Sequence, residues 1–161
     1  MANPRFDSNK TLTARDIMAT SLFTLREDQD VNDAIDGLLE RRISGCPVLD
    51  ANDRLVGVMS EKDCILALVR AFYHKLPSGT VADVMSKQVR SIPPSMDLLS
   101  IAQLFLQNHF RRLPVVDGEH LVGQISRRDL LTAISKVLRT NPHHEAATLY
   151  LSAIDAPPPI D

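Results

Sequence analysis

The chain has 161 residues, of which 44% are apolar and 24% charged, and a formal net charge of -2. This length gives one compact domain or two small intimate ones of ordinary globular composition. The near-neutral balance excludes a general nucleic-acid binder, and no apolar run approaches the roughly 18 residues of a membrane span.

The first residues, Met1 to Asp7, lack the apolar core of a signal peptide, so a cytoplasmic location is expected. Cys46 and Cys64 lie far apart in apolar patterns. That placement predicts reduced, buried thiols rather than a disulfide or a metal pair.

Residues 1 to about 12 are polar and read as a frayed end. Thr13 is placed to cap a short turn through Met18, and residues 22–25 read as a short strand. Asp28-Gln29-Asp30 precedes Val31, Ala34, Ile35, Leu38 and Leu39, whose spacing makes one apolar helical face. Gly45, with Pro47 beyond it, is expected to break that helix near residues 43–45. Val48-Leu49 and residues 55–59 then form a hairpin around a polar turn at 51–54. Ser60 opens the next helix, with Ile65, Leu66, Leu68, Val69 and Phe72 expected on its buried side. Pro77 and Gly79 mark a joint.

The order then repeats: a turn at 81–85, a strand near 89–92, a helix over about 97–108, a hairpin at Asp117-Gly118 and a helix over about 126–138. The last residues are expected to hold a short amphipathic helix over 145–154, which Pro157-Pro158-Pro159 cannot continue.

The replay is visible residue by residue. Leu55-Val56-Gly57-Val58-Met59-Ser60-Glu61-Lys62-Asp63 returns as Leu121-Val122-Gly123-Gln124-Ile125-Ser126-Arg127-Arg128-Asp129. Each copy is an apolar strand followed by Ser-x-x-Asp, a capping box at a helix start. Asp16-Ile17-Met18 matches Asp83-Val84-Met85 at an offset of 67, and the offset drops to 66 after the hairpin turn, which is one residue longer in the first copy. A single one-residue gap over so long a unit means duplication. The predicted fold is therefore α+β: a β-α-β-β-α unit at 12–76, a second at 80–138, and a tail at 139–161.

Gly45-Cys46-Pro47-Val48 or Arg112-Leu113-Pro114-Val115, followed by the Gly-x-x-Ser-x-x-Asp segments above, resembles the CBS domain, and the tandem resembles a Bateman module. The resemblance covers roughly residues 12–138. It implies two repeats packed sheet to sheet about a pseudo-twofold axis. It also implies adenine nucleotides of the AMP, ADP or ATP class, or related adenosyl ligands, held in two clefts between the repeats, and modules that form homodimers.

The residues suit such a ligand. A carboxylate accepts from both hydroxyls of a ribose diol, which gives Asp63 and Asp129 that role, with Ser60 and Ser126 beside them. Guanidinium groups bind phosphate oxygens in bidentate fashion. Arg111, Arg112 and Arg128 of the second repeat, with Lys62 of the first, are the phosphate candidates. Ser44, Gly45, Cys46 and Pro47, with Leu113 and Pro114, begin the strands beside the cleft. The loops Thr20-Ser21-Leu22 and Lys87-Gln88-Val89 are those that touch base or sugar in the family. In the family the acid of one repeat tends to serve a ligand whose phosphates reach the basic residues of the other. The resemblance therefore implies two unequal sites: Ser60 and Asp63 with the three arginines, and Ser126 and Asp129 with little beyond Lys62 and backbone amides.

No Ser/His/Asp or Cys/His arrangement and no Gly-rich phosphate loop stands out, so an enzyme is not expected. His143-His144 has no third ligand nearby, and Arg41-Arg42 reads as a solvated helix end. Two functions remain. One is a regulatory module that senses an adenine nucleotide as its ligand, without a catalytic cofactor, and signals to an unidentified partner or through its own assembly. The other is a structural dimerisation module, using helix faces such as Ile35, Leu38, Leu39, Leu68 and Phe72.

Overall fold

The computed structural model describes residues 11–75 and 79–140. The expected frayed end to residue 10, the center of the joint at Pro77, the histidine pair and the helix over 145–154 lie outside the described residues.

In the first repeat, α1 (Ala14–Ile17) is closed by a Thr13/Asp16 capping box. The strand β1 (Leu25–Arg26) is shorter and later than the expected 22–25. Phe23 is diverted to pack under the Arg41 guanidinium, 4.1 Å from its ring center, and against Gly37. The helix α2 (Val31–Arg41) starts at Asp30, whose carboxylate accepts from the Asn32 amide, and buries Val31, Ala34, Ile35 and Leu38. It ends through Arg42 in the left-handed region, at φ 52, and not at Gly45. Gly45 instead begins β2 (Gly45–Leu49), which pairs antiparallel with β3 (Leu55–Ser60), while β1 adds to β2 in parallel.

The helix α3 (Glu61–His74) differs most from expectation. Ile65, Leu66, Leu68, Val69 and Phe72 are exposed, and Cys64 is its buried residue, with Ala67 half-buried. The run from Cys64 to Phe72 is apolar on nearly every side, so its period does not select a face. The small residues Cys64 and Ala67 meet the core of the first repeat, and the large ones lie outward.

The second repeat supplies α4 (Val81–Val84), α5 (Leu98–Gln107), the hairpin β4 (Arg112–Asp117) and β5 (His120–Ser126), and α6 (Arg127–Thr140). The strand expected near 89–92 is reduced to one parallel bridge, Ile92 to Val115. Ile92 makes both available ladder bonds, but Pro93 and Pro94 follow it, and proline has no amide to extend the ladder. The mixed helix and strand content in two copies is the expected α+β plan.

The repeats exchange their first segments. Ala14 is fully buried in the core of the second repeat, among Ile101, Leu113 and Ile125, with Ile17 and Met18 packed alongside. Val81 and Met85 enter the core of the first repeat, with Leu25, Val48 and Met59. Backbone bridges fix both exchanges: Ala19 with Gln124 on β5, and Ser86 with Val58 on β3. Here lies the reason for the two strand glycines. A Cβ at Gly57 would meet the Met85 side chain, and one at Gly123 would meet Met18.

Candidate functional site

Both Ser-x-x-Asp segments fold as capping boxes. Asp63 Oδ2 accepts from the Ser60 amide at 2.9 Å and from its hydroxyl at 2.5 Å, while the Asp63 amide donates back to the Ser60 hydroxyl. Asp129 Oδ2 accepts from the Ser126 amide at 2.7 Å and its hydroxyl at 2.6 Å. Thr13/Asp16 and Thr80/Asp83 form the same box. The boxes are thus helix caps, and any ligand role falls to the carboxylate oxygen that capping does not use, Oδ1. For Asp63 that oxygen already accepts from the Ser86 hydroxyl at 3.2 Å.

A cleft of about 610 Å³ opens between the repeats. The first repeat contributes Ser44, Gly45 and Cys46 from the start of β2, Val58, Met59 and Ser60 from the end of β3, and Glu61, Lys62 and Ile65 from α3. The second contributes His109, Phe110, Arg111, Arg112 and Pro114 at the start of β4, and Gln124 on β5. The pairing of Pro47 with Val58, and of Pro114 with Gln124, sets the two hairpins in matching registers. Across the cleft, Arg112 Nη1 lies 3.5 Å from the Gly45 carbonyl oxygen.

Its floor is buried and its rim is charged. Cys46, Met59, Pro114 and Gln124 are buried, whereas Lys62, Arg111 and Arg112 are exposed at the mouth with Glu61 among them. The burial of Cys46 pushes its thiol up to about 12, with Cys64 adding to the rise, so it stays protonated at neutral pH. Both cysteines are free and buried, as expected.

The structure thus brings together Ser44, Gly45, Cys46, Ser60, Lys62, Arg111, Arg112 and Pro114 of the sequence candidates. Asp63, one helical position beyond Lys62 and half-buried, is outside this lining. Pro47 and Leu113 are fully buried core side chains, and Leu113 packs inside the second repeat. Arg128 is exposed and outside this lining, as are the half-buried Ser126 and Asp129. Thr20 and Ser21 are exposed, and Leu22 is half-buried. Lys87 and Val89 line a different cleft of about 360 Å³, beside Asp50, Arg54, Ser91 and Glu119, while Gln88 is exposed. There the Asp50 carboxylate is held below its ordinary range, chiefly by the Arg54 backbone amide.

Sequence patterns alone passed over Gln124, His109, Phe110 and Val58. Gln124 had a signal: it is a polar residue inside an apolar strand where the first copy has Val58. Among the described residues no group of three His, Cys, Asp or Glu side chains is placed to hold a metal. No described helix is long and apolar enough to cross a membrane.

A doubled α+β unit with exchanged first segments and a cleft between its hairpins defines the class. The CBS domain family model matches residues 14–70 and 81–136, and the chain belongs to the CBS domain family, as a tandem pair. An uncharacterized protein of Methanocaldococcus jannaschii is 31% identical over 118 residues, 73% of this chain and 41% of that protein. The inosine-5'-monophosphate dehydrogenase of Nitrosopumilus maritimus is 30% identical over 115 residues, 71% of this chain and 22% of the enzyme. The chain therefore spans less than half the length of these two relatives. A crystal structure of Arabidopsis thaliana CBSX2 in complex with AMP is similar at 31% identity and a TM-score of 0.69, covering 78% of this chain and 97% of that one.

Proposed function

We propose that this chain is a regulatory module that binds an adenine nucleotide in the cleft between its repeats and signals to a partner or through its own assembly. The observation that carries the reading is the meeting of Ser60 and Lys62 from one repeat with Arg111 and Arg112 from the other around a single cleft. A volume near 610 Å³ suits a small ligand with an apolar floor and a few polar contacts. Exposed guanidiniums at the mouth suit phosphates, and Asp63 beyond Lys62 suits the ribose diol. The AMP complex of a relative 31% identical supports the ligand class.

Ser126, Asp129 and Arg128 lie outside that lining, as Asp63 does, but Asp63 is tied to it through Ser60 and adjoins Lys62. The reading thus gives one well-furnished site there and a poorer one at the opposite acid. No enzymatic step is assigned. Any signal requires unequal affinity for two states of the module.

The test is a thermal-shift panel and calorimetric titration with AMP, ADP and ATP on the wild type and Asp63→Ala. A nucleotide at about 100 times its dissociation constant adds roughly 2.7 kcal/mol of stability. A flat response to all three overturns the reading, and undiminished affinity in Asp63→Ala overturns the ribose assignment.

A second reading, a dimerisation or docking module, is favored by one observation. Phe72 is 81% and Ile65 62% exposed on α3, with Leu66, Leu68, Val69 and Tyr73 also exposed. The two readings meet at Ile65, which is exposed on α3 and also lines the cleft.

A further inference from the structure

Gln124 is a polar residue on a strand whose neighbors, Gly123 and Ile125, are buried; it is itself only 8% exposed. Its backbone is engaged with Ala19, but its carboxamide has no hydrogen-bond partner among the described residues. No fully enclosed side-chain nitrogen or oxygen among those residues is left unpaired, so the carboxamide must keep contact with open space. The open space beside it is the cleft, which Gln124 lines. The residue in the same place in the first repeat is Val58, which lines the same cleft and needs no partner.

An amide withdrawn from bulk water without a protein partner is costly unless something else completes it. The cations at the mouth leave the buried floor for the uncharged end of a ligand. A carboxamide offers one donor and one acceptor side by side, the complement of the adenine edge, where an exocyclic amine flanks a ring nitrogen.

We propose that Gln124 is a specificity-determining residue of the cleft, hydrogen-bonded to the polar edge of the bound base. This rests on the nucleotide reading above and adds the group that reads the base. The carboxamide can turn over to serve a donor-acceptor pair in either order, so it selects for a hydrogen-bonding edge and not for one order of it. The discriminating probe is therefore purine riboside 5'-monophosphate, which keeps the ring nitrogens of AMP and lacks the exocyclic amine.

Calorimetric titration of both nucleotides into the wild type, Gln124→Val and the near-isosteric Gln124→Met tests it. Val is what the first repeat carries in this position, and Met preserves side-chain volume, so at least one variant retains the fold, checked by circular dichroism. The wild type is expected to bind AMP about tenfold more tightly than the amine-free analogue, the cost of one unpaired buried group. Both substitutions are expected to weaken AMP by a similar factor and to erase that preference. A folded variant that keeps the full wild-type preference overturns the inference and leaves the nucleotide reading standing. A wild type that binds neither nucleotide overturns both.

Discussion

Ser86, in the second repeat, donates its hydroxyl to Oδ1 of Asp63, in the first. The residue 67 positions earlier is Ala19, which has no hydroxyl, and Oδ1 of Asp129 has no hydrogen-bond partner among the described residues. The acids of the two repeats are therefore not equivalent, although their capping boxes are. A ribose hydroxyl arriving at Asp63 competes with Ser86. Ser86→Ala is expected to cost under about 1 kcal/mol of stability, the net worth of an ordinary hydrogen bond. It should tighten AMP binding by up to about fivefold, the same energy expressed as an equilibrium. Weaker binding in the variant would make the hydroxyl part of the ligand site instead of its competitor.

The cleft separates arginines that the sequence pattern groups together. Arg112 stands at its mouth and Arg128 outside its lining. Arg112→Ala is expected to weaken AMP at least about tenfold, since hydrogen bonds to charged groups contribute roughly 1.5–3 kcal/mol. Arg128→Ala should leave the affinity within about twofold of wild type. Equal losses in the two variants, measured at one salt concentration, would return Arg128 to the site.

Three carboxylates predict the acid limb of stability. Asp97 is held below its ordinary value chiefly by the Ser100 hydroxyl, Asp83 by the Thr80 amide and Asp50 by the Arg54 amide. Each has a folded value below its unfolded one, near 3.8. Their contribution is therefore complete above that unfolded value and is lost as pH falls through the folded values. Urea midpoints should be flat from pH 7 to about 5 on this account and fall below about 4. Asp97 also caps α5, accepting from the Leu99 and Ser100 amides, so Asp97→Ala should cost about 1 kcal/mol at pH 7 and less at pH 3. A constant penalty across that range would show that the ionised carboxylate is not what matters.

The outward face of α3 predicts self-association. Phe72→Asp, with Leu68→Asp as a second variant, should convert a homodimer to a monomer in sedimentation velocity without altering the circular dichroism spectrum. Both side chains are exposed in the single chain, so a charge there costs the fold little. A wild type that sediments as a monomer at every concentration would dismiss this face as a dimer contact.

The duplication is legible in the amino-acid order alone, because a repeat is a relation between residues of one chain. Helix starts are legible for a similar reason: Asp30, Ser60 and Asp97 cap amides two or three residues away, and that chemistry is local. The loss of the strand around Ile92 is readable in principle from Pro93-Pro94, whose missing amides forbid a ladder. Tertiary structure decided what depends on distant partners. It put Ala14 in the core of the other repeat and turned the large side chains of α3 to the surface. It also drew Arg112 to the Gly45 carbonyl while leaving Arg128 aside. Apolar period records that a residue wants burial, and capping records where a helix begins. Neither records which repeat supplies the opposite wall, because that depends on how the hairpins pack against each other.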